Sequence, residues 1–184
     1  MVKLVIIFAL ISAAFAADKC RAFAFGGAGD RGSYQVGVLK GLIESLPAEE
    51  TQYDVITGIS TGSINAFAMA HYAKGNETAF VEFMSDWWTN DWSHRRIWYD
   101  WWFGAIDGLL FQDGVYDNAP TTKTINNLQK NWPEGFKRTM IIGTTNVVNG
   151  KFVTFNNTDT PDWGDVVAAA TAIAGVFPPR KMNG

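Results

Sequence analysis

Gly58-Ile59-Ser60-Thr61-Gly62 places a serine midway between two glycines. The apolar run Tyr53 to Thr57 precedes it, and a small, apolar stretch through Ala66, Phe67, Met69 and Ala70 follows. A serine on a sharp strand-to-helix turn holds its hydroxyl clear of a sheet, and the glycines leave room for neighbouring backbone. The helix that starts there points its amides at the hydroxyl, which favours negative charge developing beside it. The chemistry implied is nucleophilic attack through a covalent serine ester.

A second glycine cluster, Gly27-Ala28-Gly29-Asp30-Arg31-Gly32, follows another short apolar run, Arg21 to Phe25. Two chemistries fit it. Glycines between a strand and a helix can cradle a dinucleotide pyrophosphate, but that site wants an acidic residue at the end of the next strand, where this chain has Thr57-Gly58. The same loop can instead offer backbone amides as an oxyanion hole for Ser60. A tight turn that needs positive φ also accounts for clustered glycines.

A serine nucleophile needs a base, and the chain has only two histidines, His71 and His94. On a continuous helix His71 lies roughly 16 Å beyond Ser60, out of hydrogen-bond reach. His94 sits in a tryptophan-rich segment, and no late histidine follows in the order a Ser-acid-His triad requires. Either a carboxylate takes the serine proton directly or the serine is idle. Two histidines and one cysteine, scattered, make no metal-ligand cluster, and no organic cofactor is called for.

The elements that must position these residues alternate. Strand Arg21 to Phe25 leads to a helix with Val36, Leu39, Ile43 and Leu46 on one face, ended by Pro47. Strand Tyr53 to Thr57 leads to the helix after Ser60. Thr121 to Lys130 reads as a helix entered through Asn118 to Pro120. Arg138 to Thr144 and Lys151 to Phe155 read as strands joined through Val147-Val148-Asn149-Gly150, with Asn149-Gly150 a hairpin signal. Gly164 to Ala174 reads as a last helix, stopped by Gly175 and Pro178-Pro179. Strands separated by helices of this size predict an α/β fold with a mainly parallel sheet.

Composition sets the outer bounds. The chain has 184 residues, 47% hydrophobic, with 15 basic against 18 acidic side chains. That apolar content fits one globular domain, and a net charge of -3 argues against a nucleic-acid partner. Lys3, the apolar run Leu4 to Phe15 and the small-x-small exit Ala14-Phe15-Ala16 predict a signal peptide over residues 1–16, a mature domain over 17–184 and secretion. Cys20 is the only cysteine, so no intrachain disulfide can form. Asn76-Glu77-Thr78 and Asn156-Asn157-Thr158 are glycosylation acceptors in keeping with that route.

Trp87, Trp88, Trp92, Trp98, Trp101 and Trp102 crowd one segment. Two readings stand: an aromatic surface at the lipid headgroup layer, with Arg95-Arg96 able to meet anionic headgroups, or a helical cap filling core volume. Neighbours diverge by roughly 100° around a helix, so the adjacent pairs cannot all face one core from one regular helix.

These residues resemble the patatin-like phospholipases. Gly27-Ala28-Gly29-Asp30-Arg31-Gly32 with the helix Ser33 to Leu39 is similar to that family's glycine loop, with Ala28 for a middle glycine. Ile56 to Ala66 is similar to its serine elbow in type and in spacing from the loop. Ala170 to Pro179 resembles the run before its catalytic Asp-Gly-Gly/Ala turn, with Ala174 where the family often has proline. The resemblance implies a three-layer α/β fold and a lipid acyl hydrolase acting on lipid or phospholipid at a membrane surface, without cofactor or metal. Ser60 would be the nucleophile, Gly58 and Gly62 its elbow, and Gly27, Ala28, Gly29, Arg31 and Gly32 the oxyanion loop.

The text stops at Lys181-Met182-Asn183-Gly184, where the Asp-Gly turn would fall, so a truncated domain lacking its base is expected. Asp113-Gly114 and Asp107-Gly108 come too early in order to supply that base. The alternative is an inactive, secreted lipid-binding relative without the catalytic Asp.

Overall fold

A computed structural model describes residues 20–91, 96–158 and 162–182. The predicted signal peptide, Trp92, His94 and Arg95 lie outside the described residues. In chain order the elements are β1 (Ala22–Phe25), α1 (Gly32–Ser45), β2 (Val55–Ile59), α2 (Thr61–Ala70), α3 (Glu77–Asp86) with a π turn Trp87–Asp91, and β3 (Tyr99–Asp100). Then come α4 (Ala105–Phe111), β4 (Tyr116–Asp117), α5 (Ala119–Gln129), β5 (Thr139–Thr145), β6 (Phe152–Asn156) and α6 (Trp163–Thr171).

The main sheet runs β1-β2-β5-β6, the first three strands parallel and β6 antiparallel to β5. Ile56 stands between Phe23 and Met140, and Gly58 between Phe25 and Ile142. Because strand order advances in one direction, right-handed crossovers put α1 and α2 on the same side of the sheet. On that side Phe25, Ile56, Met140 and Ile142 are buried. Ala22, Ala24, Ile59 and Thr145 point the other way and are exposed. The described residues thus make up the sheet and one helical layer.

Helix α2 is the hub. All ten of its residues are buried, and it packs on β1, β2 and β5, with α1, α3 and α6 around it. A helix apolar or small on every side can only sit inside. Phe67, Phe80, Met84, Ile125 and Val166 complete the core, and truncating any of the larger ones to alanine would cost roughly 3–5 kcal/mol.

The amino end of the sheet is closed by a buried charge. Arg138, just ahead of β5, donates to Glu77 at 2.7 Å and to the carbonyls of Tyr53, Tyr72 and Ala73 at 2.8, 2.6 and 2.7 Å. Next to it His71 stacks on Trp132, ring centroids 4.7 Å apart, and meets Phe67 and Phe136.

The described tryptophans divide between buried and exposed positions. Trp87 and Trp88 are buried in the π turn, which breaks the helical period and turns both inward, whereas Trp102 is 90% exposed. Arg96 reaches back to Asp91 at 3.4 Å. Between β5 and β6 the ladder ends at Thr145–Phe152, so a six-residue loop holds the predicted turn Val147 to Gly150; Gly150, at φ 69°, donates to the Asn146 carbonyl. Helix α4 was not anticipated from the sequence; its seven residues hold a glycine, and Asp107 is their one polar side chain.

Candidate active site

Ser60 falls between the last residue of β2 and the first of α2, at φ 54° and ψ -133°. It is the only non-glycine residue with positive φ among those described. That conformation costs about 1–3 kcal/mol and persists only where the surroundings impose it. They do. A Cβ on Gly58 would come within 2.7 Å of Ala66 Cβ and Ser63 Cα, and one on Gly62 would run into the carbonyls of Phe25 and Gly26. The turn is then tied by Ser63, whose amide and hydroxyl donate to the Ser60 carbonyl at 2.8 and 2.6 Å.

The two glycine motifs meet. Gly27 lies so close to Ser60 that a methyl in place of its hydrogen would stand 3.4 Å from Ser60 Cβ and 3.9 Å from Oγ. Ser60 is half-buried, at the wall of an open cleft of about 600 Å³ lined by Gly27, Ala28, Gly29, Asp30, Arg31, Tyr34, Gln35 and Ser60. Gly29 takes φ 58°, and Arg31 N donates to Ala28 O at 3.1 Å, which folds the loop over the start of α1. Among the described residues the amides of Gly27, Ala28 and Gly29 donate to no acceptor. Unpaired donors beside a hydroxyl are what a developing oxyanion requires. The first amides of α2 and α1 lack intrahelical acceptors for the general reason that helix starts do.

A polar network behind the cleft fixes the loop to the elbow. Thr61 Oγ1 donates to Gly29 O, and Gln35 Nε2 to Gly26 O at 2.6 Å. Asn65, fully buried in α2, donates to Gly32 O and Gln35 Oε1, both at 2.9 Å, and accepts from Trp88 Nε1 at 2.9 Å. Gly32 packs so tightly on Trp88 and Thr61 that a Cβ there has no space. Gln35, Asn65, Thr61 and Trp88 were not singled out from sequence. The available signal was Asn65, an amide in the middle of an alanine-rich helix.

The structure brings Ser60, Gly27, Ala28, Gly29 and Arg31 to one cleft, with Gly32, Gly58 and Gly62 packed directly behind it. The Arg31 side chain points to solvent, 3.9 Å from Asp30, so its backbone does the shaping. Among the described residues, Asp30 is the only carboxylate that lines the cleft, and no histidine does. His71 caps the far end of α2, buried, its Nδ1 donating to Phe67 O at 2.8 Å. Desolvation lowers its pKa from 6.5 to about 4, and its place at the opposite end of the ten-residue helix puts it out of hydrogen-bond reach of Ser60. Asp113 is exposed, in the turn after α4. A second cleft of about 540 Å³, near Trp87, Tyr99 and Lys123, holds no elbow or nucleophile.

A mainly parallel sheet with helices, an elbow serine at its carboxyl edge and a glycine loop against that serine together define an α/β protein of the acyl-transfer type. The patatin-like phospholipase family model matches residues 23–184, and the chain belongs to that family. At family level this makes it a lipid acyl hydrolase domain acting on lipid substrates. No curated protein matches the chain.

Proposed function

We propose that this is a secreted lipid acyl hydrolase that cleaves carboxylic esters of the phospholipase A or acylglycerol type through an acyl-serine intermediate. The observation that carries the reading is Ser60 at φ 54°, against Gly27, in a cleft whose loop amides are unpaired among the described residues. Ser60 Oγ attacks the ester carbonyl carbon while its proton passes to an aspartate. That aspartate belongs to the family's Asp-Gly-Gly/Ala turn, which the resemblance places after Phe177-Pro178-Pro179. The carbonyl oxygen takes up the negative charge and is stabilised by amides of Gly27, Ala28 and Gly29, at roughly 3 kcal/mol per donor. As the tetrahedral adduct collapses, the ester C–O bond breaks and the alcohol leaves with the proton from the aspartate. Water, deprotonated by the same carboxylate, then releases the fatty acid. Arg31 closes the loop through its backbone and does not touch substrate. Residues 1–16 act as the export signal.

The test is fatty-acid release from mixed phospholipid and acylglycerol vesicles by the full-length protein. Ser60→Ala is expected to lower the rate by roughly 10⁴-fold or more, and a fluorophosphonate to label wild type at Ser60 alone. Release that survives Ser60→Ala refutes the nucleophile. No release by wild type, with vesicle binding intact, assigns the chain to the lipid-binding alternative.

A further inference from the structure

Between Trp101 and Gln112 the chain turns its apolar side chains outward. Trp102, Phe103, Ile106, Leu109, Leu110 and Phe111 are each between 67% and 90% exposed. Six large apolar groups within ten residues make a patch of a kind monomeric surfaces rarely carry without a partner.

The ridge is anchored from beneath. Gly108 is the buried residue of α4, and a Cβ there would strike the backbone of Gly114 and Val115. Trp101 Nε1 donates to Gly114 O at 2.9 Å. Val115 and Tyr116 donate in turn to the carbonyls of Gly175 and Val176, and Gly114 bridges Gly175. The chain reaches Gly175 from the end of α6, where Ala169 O accepts from Thr144 near the carboxyl end of β5. The ridge thus hangs from the segment that leaves the sheet's carboxyl edge, the edge that bears Ser60.

Shape and charge select the occupant. At 3.6 residues per turn, Leu109, Ile106 and Leu110 share a stripe of roughly 100°, with Gly108 roughly opposite and Phe111 beyond Asp107. The half-exposed Asp107 beside that stripe stays in water, so the helix lies on an apolar phase by one face. Trp102 at the base is of the type that settles at a headgroup boundary. Seven residues rise roughly 10 Å, so α4 lies in an interface and does not span one. From Ile97 to Thr122 the charged residues are Asp100, Asp107, Asp113 and Asp117, with no lysine or arginine. Arg180 donates to Asn118 O at 2.8 Å, and the segment with its four carboxylates still carries a net negative charge, which repels an anionic surface and tolerates a neutral one.

We infer that the Trp102–Phe111 ridge is a docking surface that seats the molecule on electrically neutral lipid, zwitterionic phospholipid above all. The inference rests on the lipid hydrolase reading for its biological sense, but its measurement does not need catalysis.

The complete protein is floated with phosphatidylcholine vesicles and with an equal mixture of phosphatidylcholine and phosphatidylserine. Wild type and Ser60→Ala are expected to bind phosphatidylcholine equally, and the double variant Ile106→Asp/Leu110→Asp to bind ~tenfold or more weakly. Phosphatidylserine should weaken binding at low salt, and added salt should restore it. Melting temperature and hydrolysis of a soluble short-chain ester should be the same for the double variant as for wild type. Unchanged vesicle binding by the double variant overturns the inference, as does tighter binding to the anionic mixture. A large fall in its melting temperature shows the ridge covered by other parts of the chain, and a wild-type dimer that it splits shows a second copy there; either result also overturns it. Vesicle binding without soluble-ester hydrolysis by wild type would leave the docking surface standing and remove the catalytic reading instead.

Discussion

His71 shows how one buried ring writes a pH dependence into the molecule. It is stacked on Trp132, its Nδ1 donates to Phe67 O, and its Nε2 has no partner among the described residues. Burial lowers its pKa from 6.5 to about 4. The unfolded chain therefore takes up a proton near pH 6.5 that the folded chain refuses until about pH 4. Stability from this group is whole above the unfolded value and is lost as pH falls toward the folded one, by at most ~3 kcal/mol. Denaturant midpoints of wild type should fall across that window, and those of His71→Phe should fall less. Hydrolysis by His71→Phe at neutral pH should stay within a few-fold of wild type; a loss approaching that of Ser60→Ala would return a histidine to the mechanism.

At the scale of elements, the elbow and the glycine loop are two strand-to-helix turns pressed together, and their glycines divide the work. Gly62→Ala drives a methyl into the carbonyls of Phe25 and Gly26, which cannot yield, so it should destabilise by ~1–3 kcal/mol and abolish activity. Gly27→Ala meets only Ser60, at 3.4 Å from Cβ, so the protein should melt nearly as wild type while turnover falls roughly 10²-fold. Equal melting of the two variants would contradict this division. Both turns were legible in the sequence because strand, glycines, serine and helix are contiguous, and the apolar periods around them are unbroken. The parallel strands and α1, α2, α5 and α6 were legible for the same reason. The network through Gln35, Asn65 and Trp88 was not, since its members come from three helical segments. Helix α4 escaped because its face toward the protein is one glycine, which leaves no period to read. The hairpin was legible from Asn149-Gly150, and its loop runs one residue further at each end than Val147 to Gly150, with the Gly150 amide bonded to Asn146 O.

Across the whole molecule, the sheet edge that bears Ser60 is balanced by a charged lock at the opposite edge. Arg138 and Glu77 are 2% and 4% exposed, and every polar contact of the guanidinium goes to the segment Tyr53 to Glu77. Removing one partner leaves the other buried and unpaired, which costs about 3–5 kcal/mol. Glu77→Gln should therefore lower the urea midpoint by a corresponding amount while leaving the surviving folded molecules fully reactive at Ser60. A midpoint unchanged from wild type would mean that water reaches the pair. Nothing in the sequence pairs these two, because 61 residues separate them.

That separation orders events during synthesis. Ser60 and the glycine loop lie within residues 27 to 62 and are made early, as the chain emerges amino terminus first. Glu77 emerges soon after, with no countercharge until the translating ribosome has added sixty-one more residues. Until Arg138 arrives, that end of the sheet must stay hydrated and loose, so the half-made chain carries its serine turn on a base that has yet to set.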